Sequence, residues 1–220
     1  MLNRLAMRLP LLSMVFLFMP LLVFSQKRQA GFSVSMIADD VFVRMQGKSY
    51  PDGCPVRRQD LRYLRLLHID LDGHVKHGEM VCNKAIANDV LEIFEELYKH
   101  RYPIASVRLI DDFGANDEES MRANNSSSFC YRAVRGSKKL SAHAKGMAVD
   151  INPLCNPCVR RLRSGKVMVQ PSVSGKYVDR SGSFPYKIEK GDLAWKLFTS
   201  RGFKWGGAWK TVKDYQHFEK

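Results

Sequence analysis

Two separated segments of the 220-residue chain carry side chains able to do metal chemistry together. The first is Ser141-Ala-His143-Ala-Lys-Gly146-Met-Ala-Val-Asp150, and the second is Asp214-Tyr-Gln-His217-Phe-Glu219. Catalytic zinc takes three protein ligands from His, Asp and Glu and keeps a fourth position for water, whose pKa falls to about 7. His143, Asp150 and His217 are assigned as that ligand set. Asp214, three residues before His217, is then a spare carboxylate suited to general-base work, accepting a proton from the water and handing it to a leaving group. A lone histidine is ordinarily a surface or core residue, the reading given to His68, His74, His77 and His100. His143 and His217 differ because each arrives with partners.

These side chains need elements to hold them. Met147, Val149 and Ile151 alternate with Ala148 and Asp150, which predicts a strand with one face in the core. Its other face pairs the small Ala148 with Asp150 and leaves room for metal and substrate. Gly146 predicts a tight turn between His143 and that strand. Tyr215, His217 and Glu219 share one face of a short final strand, with Asp214 in the turn before it. Upstream, residues 61–71 and 79–82 flank the hairpin signal Asp72-Gly73-His74. Ile86, Val90, Phe94 and Leu97 recur at helical spacing and predict a helix over 83–100, with Pro103 beyond its basic end. Strands are predicted over 104–110 and 128–134, a short helix over 117–123, and a helix over 192–201 stopped by Gly202. Residues 154–185 are basic, rich in Gly and Ser and without a clear period, which predicts a loop beside the cleft. The reading is α+β, a single compact domain with a central antiparallel sheet flanked by helices, spanning 61–220 behind a loosely packed leader segment, 26–60.

The pattern Ser-x-His-x-x-Gly-x-Ala-x-Asp, followed by Trp-Gly-Gly-x-Trp and Asp-x-x-His-Phe-Glu, resembles the zinc D-alanyl-D-alanine carboxypeptidase and L-alanyl-D-glutamate endopeptidase family. The resemblance spans roughly Tyr63 to Lys220 and is sharpest over 129–153 and 202–219. It implies a Hedgehog/D-Ala-D-Ala-peptidase-like fold and action on peptidoglycan stem peptides. It also implies Zn2+ held by His143, Asp150 and His217, with Asp214 as catalytic base. The aspartate found here as base resembles the endopeptidase branch more than the carboxypeptidases of the family that use glutamate.

Amide hydrolysis builds negative charge on the carbonyl oxygen, and each donor aimed at that charge is worth about 2.7–4 kcal/mol. Arg132, in the Cys130-Tyr-Arg132 context that the family resembles, is the first choice for this role, with Arg108 second. Ser141, Trp205 and Trp209 are expected to line the cleft.

The amino terminus predicts export. Arg4 and Arg8 precede an apolar run over 9–24, and Val23-Phe-Ser25 offers small residues for a signal peptidase. Cleavage is predicted after Ser25, so residues 1–25 form a signal peptide and the protein is periplasmic or secreted. The run is shorter than the ~20 residues a spanning helix needs and is broken by Pro10 and Pro20, which argues against stable membrane insertion. Gln26 rather than cysteine follows the site, which argues against lipoprotein attachment. Loss of Arg4 and Arg8 takes the net charge from +13 to +11, and an exported basic protein meets anionic wall polymers before nucleic acid. Arg160-Arg161-Leu-Arg163 and Lys138-Lys139 are the basic patches. Cys54, Cys82, Cys130, Cys155 and Cys158 allow two disulfides with one free thiol in fifteen ways, and a disulfide involving Cys155 or Cys158 is expected, with Cys130 a candidate partner and the pairing left open. Two competing classes remain. A non-catalytic zinc or wall-binding module would bind without turnover, and a disulfide oxidoreductase on Cys155 and Cys158 would need no metal.

Overall fold

The computed structural model describes residues 29–134, 137–162 and 164–220. The predicted signal peptide and its cleavage site, and Arg163 of one basic patch, lie outside the described residues. Among the described residues no helix is long and apolar enough to cross a membrane.

Strand β1 (Ser33–Ser35) lies antiparallel to β2 (Leu61–Ile69), which turns back as β3 (Val75–Asn83) and pairs with it along its whole length. Asp70 closes this hairpin, its Oδ1 accepting the amides of Asp72 (3.0 Å) and His74 (2.8 Å), which mimics a backbone turn. Between β1 and β2, helix α1 (Asp39–Met45) buries Val41 and Met45 in a cluster with Leu61, Val81, Leu109 and Phe129. The Ser49 amide also donates to Asp111 Oδ1 at 3.0 Å. The segment expected to pack loosely before residue 61 is therefore built into the core. Its helix α1, seven residues long, is too short to show a helical period.

Helix α2 (Ala87–Lys99) packs on β2 and buries Val90, Leu91, Ile93, Phe94 and Leu97 completely. Each such side chain stabilises the fold by ~1.5–3 kcal/mol. The helix starts later than the periodicity predicts because Asn83 still belongs to β3, and its Oδ1 accepts the Ala85 amide to turn the chain first. The strand predicted over 104–110 shrinks to β4 (Ser106–Val107), which pairs in parallel with β5 (Asn125–Ser126) beyond the short helix α3 (Asp117–Arg122). No strand forms over 128–134. Its amides serve several elements instead: Phe129 N donates to Val81 O, Cys130 N to His143 O and Tyr131 N to Ser49 O.

Asp150, Asp214 and His217 sit on two further sheets, and His143 lies in a single 3-10 turn, His143–Lys145, just before the first of their strands. One has the order β6 (Ala148–Asp150), β11 (His217–Glu219), β9 (Lys204–Trp205), and the other β10 (Val212–Asp214), β7 (Cys158–Arg161), β8 (Val167–Gln170). The α+β class holds, but the described residues form four small sheets rather than one central sheet. Residues 154–185, expected as a loop, contain the β7–β8 hairpin. Helix α4 (Leu193–Ser200), capped by Asp192 Oδ2 on the Ala194 amide (3.0 Å), presses Phe198 onto Phe218 of β11 with ring centroids 4.2 Å apart. This stack fixes β11 from behind, and strand alternation then turns His217 and Glu219 the other way.

Candidate metal centre and cleft

Gly146 makes the turn that joins His143 to β6. Its φ is +66°, a region open to glycine, and a Cβ there would stand 2.7 Å from Asn83 N. Val149 and Ile151 then go fully into the core, while Asp150 faces the cleft as the alternation predicts. Across the sheet His217 pairs directly with Asp150, so two residues 67 apart in sequence are neighbours by register.

The three side chains meet at one point. His143 Nε2 lies 3.1 Å from His217 Nδ1 and 3.2 Å from Asp150 Oδ2, and His217 Nδ1 lies 3.0 Å from Asp150 Oδ1. A tetrahedral zinc with bonds of 2.0–2.1 Å holds its ligand atoms about 3.3 Å apart, a spacing that the two imidazole nitrogens match and that each of them meets through a different oxygen of Asp150. The outer bonds fit too. His143 Nδ1 donates to the Ser128 carbonyl at 2.7 Å, which leaves Nε2 bare, and His217 Nε2 donates to Glu219 Oε2 at 3.2 Å, which turns Nδ1 inward. Glu219 is a residue whose role the sequence reading missed, although its alternation with His217 was visible. Desolvation works against charge on both Asp150 and His217, yet their mutual attraction wins. The two imidazoles hold the Asp150 carboxyl well below its ordinary range. Burial would lower the His217 pKa, but Asp150 and Glu219 push it up to about 10.

Asp214 lies in the same cleft, on β10 rather than in a turn. Gly206 permits its approach, since a Cβ there would stand 2.7 Å from Asp214 O and 2.9 Å from Asp214 Cβ. The Asp214 carboxyl is raised by burial, which the positive charge of His217 partly offsets. Cys158, directly opposite in the β7–β10 register, hydrogen-bonds to this carboxylate, and Oδ1 is buried without a partner. A buried carboxylate with a free acceptor oxygen beside three converging ligand atoms is equipped to take a proton inside the cleft.

The cavity around these groups has a volume of about 250 Å³ and is lined by Arg132, Ser141 and Trp209 among others. Arg132 donates from Nη2 to Asp117 Oδ2 at 2.6 Å, and its Nε is buried without a partner. Ser141 Oγ accepts the His143 amide at 3.1 Å and so braces the turn that carries the ligand. The Trp209 ring lies 5.3 Å from the His217 ring. Two expected lining residues are elsewhere. Arg108 is outside this cavity, paired with Asp112 at 2.9 Å and stacked over Phe113. Trp205 packs against the core and against Gly207, where a Cβ would collide with its ring, and its Nε1 donates to Tyr215 O at 2.9 Å. The Trp-Gly-Gly run thus seats a tryptophan and admits the base; only Trp209 reaches the cleft.

The expected disulfide is absent, and all five cysteines are free. Cys155 is buried, with its sulfur 3.9 Å from Asn124 Nδ2, while Cys158 faces Asp214 and has its thiol pKa raised by burial and by that carboxylate. No curated protein and no solved structure matches the chain. Residues 135–220, less than half of the chain, match the model of a family described as D-alanyl-D-alanine carboxypeptidase. That stretch contains His143, Asp150, Asp214 and His217 and leaves Arg132 outside it, and the match supports both the family read from the motifs and a hydrolase of the peptidase class.

Proposed function

We propose that the protein is an exported zinc peptidase that hydrolyses an amide bond in peptidoglycan stem peptides, with the fold of the D-alanyl-D-alanine peptidases. The observation that carries this reading is the convergence of His143 Nε2, Asp150 and His217 Nδ1 within 3.0–3.2 Å of one another, beside a buried Asp214 oxygen with no partner. His143, Asp150 and His217 would hold the zinc, which supplies Lewis acidity toward the amide carbonyl and lowers the pKa of a water. Asp214 accepts the proton of the attacking water and returns it to the leaving nitrogen. Its buried position, which favours the protonated form, makes it a stronger base than a solvated aspartate and so eases the first transfer. Arg132 supplies positive charge for the oxyanion. Its bond to Asp117 fixes the guanidinium in place before substrate arrives, so little ordering is left to the reaction itself. Ser128 and Glu219 hold the two imidazoles in the required tautomers. The basic balance of the chain suits a partner built from anionic polymer.

The test is mass spectrometry of synthetic stem peptides incubated with the zinc-loaded protein, with chelator, and with Asp214→Asn. The expected result is zinc-dependent product whose rate falls about 10²–10⁴-fold in the variant. Zinc retention without product from any peptide would instead assign a non-catalytic wall-binding module.

A further inference from the structure

The cleft wall built by β10, β7 and β8 carries a cation with nothing to bind. Strand pairing puts Asp214, Cys158 and Gln170 in one cross-strand row and Val212 with Arg160 in the next. All five residues line the same cavity. Two arginines line it, and they are in different situations. Arg132 is held by Asp117 at 2.6 Å. The Arg160 side chain is half-buried and, among the described residues, has neither a hydrogen-bond nor an ion-pair partner. Four acids share the lining, Asp117, Asp150, Asp214 and Glu219, so an anionic substrate group entering here meets repulsion unless a free cation receives it. A guanidinium fork does this best, since it takes a carboxylate by two parallel hydrogen bonds.

Resting on the peptidase reading, we propose that Arg160 anchors the α-carboxylate of the residue whose amine departs. Asp214 returns its proton to the leaving nitrogen, so the leaving residue must lie beside Asp214. The α-carboxylate of that residue is attached to the carbon next to the nitrogen. Arg160 stands one row from Asp214, roughly 6.6 Å along the strand direction, a gap that an arginine side chain and a carboxylate together bridge. Both candidate stem-peptide bonds offer this same group. In terminal D-Ala-D-Ala the leaving D-alanine has a free carboxylate. In L-Ala-D-Glu the glutamate continues the peptide through its γ-carboxyl, so its α-carboxylate is free as well. One anchor therefore serves either bond, and the two substrates differ only in whether the leaving residue's side chain ends or runs on.

The test uses the full zinc-loaded chain and four peptides. Two end in D-Ala-D-Ala, one as free acid and one as terminal amide; two contain L-Ala-γ-D-Glu, with the α-carboxylate free or as carboxamide. The wild type is expected to favour the free acid over its amide by roughly 10- to 100-fold in kcat/KM for whichever bond it cuts, mostly through KM. Arg160→Gln should lose that preference, and Arg160→Lys, which keeps the charge, should retain part of it and control for a folding defect. Binding of the same peptides to Asp214→Asn, with and without Arg160→Gln, should show the same order without turnover. Equal handling of acid and amide by the wild type, or full preference in Arg160→Gln, overturns the assignment. If nothing is cleaved, the peptidase reading fails, and the binding measurements still decide the role of Arg160.

Discussion

Replacing Gly146 by alanine tests how the metal-site turn is built. Gly146 has φ +66°, and a Cβ would stand 2.7 Å from Asn83 N and 3.2 Å from Cys82 C. Both are backbone atoms of β3, a strand paired along its whole length and unable to move aside. The Asn83 amide also donates to the Gly146 carbonyl at 2.8 Å, so relieving the collision stretches that bond. The left-handed backbone costs an alanine about 1–2 kcal/mol, and the weakened hydrogen bond with the displaced turn adds about 2 more. Gly146→Ala should therefore lose about 3–4 kcal/mol of stability. Gly114 is the control: its φ is +64°, but nothing lies within 4 Å of its Cβ position. Gly114→Ala should show the backbone cost alone, about 1–2 kcal/mol. Urea unfolding of both variants in chelator, at unchanged m, measures the difference. Because the turn begins at His143, Gly146→Ala should also weaken zinc binding, which Gly114→Ala should leave unaltered. Equal losses in the two variants would refute the close-approach argument.

Zinc and a proton compete for His217 Nδ1, whose pKa stands at about 10. Calorimetric titration in buffers of different ionisation heat should show about one proton released per zinc at pH 7, with apparent affinity rising toward pH 10, and an affinity flat from pH 7 to 9 would disprove it. The same proton stabilises the chelated fold. A base with a raised folded pKa contributes fully below its unfolded value near 6.5 and loses the contribution as pH climbs through about 10, so the chelated protein should melt lower at pH 10 than at pH 7. Arg132→Ala should reduce turnover by about 100-fold or more, whereas Arg108→Ala, which removes an exposed pair with Asp112 and a stacking contact on Phe113 outside the cavity, should stay within about twofold; a larger loss from Arg108→Ala would reverse the assignment.

The hairpin and α2 were legible because each follows from a local rule, a turn signal between apolar runs or a helical period, and the set His143, Asp150 and His217 was legible from its donor types and the motifs that carry them. What was not legible depends on register between distant segments. Cys158 reads as half of a disulfide until β7 pairs with β10 and places it opposite Asp214. Trp205 and Trp209 are four residues apart in one aromatic motif, yet only the packing of Trp205 against the core and Gly207 tells the buried one from the cleft one. Arg108 and Arg132 both stood on predicted strands, and what separates them is the acid each meets, exposed at Asp112 and in the cleft at Asp117. The same register explains why residues 154–185 show no period and still matter. Two short strands, each four residues long, are too brief to show alternation, but pairing with β10 makes them the wall that faces the metal ligands. Changes in that hairpin should therefore alter which substrate is accepted while leaving metal affinity alone, because none of its residues contributes a ligand atom to the three that converge.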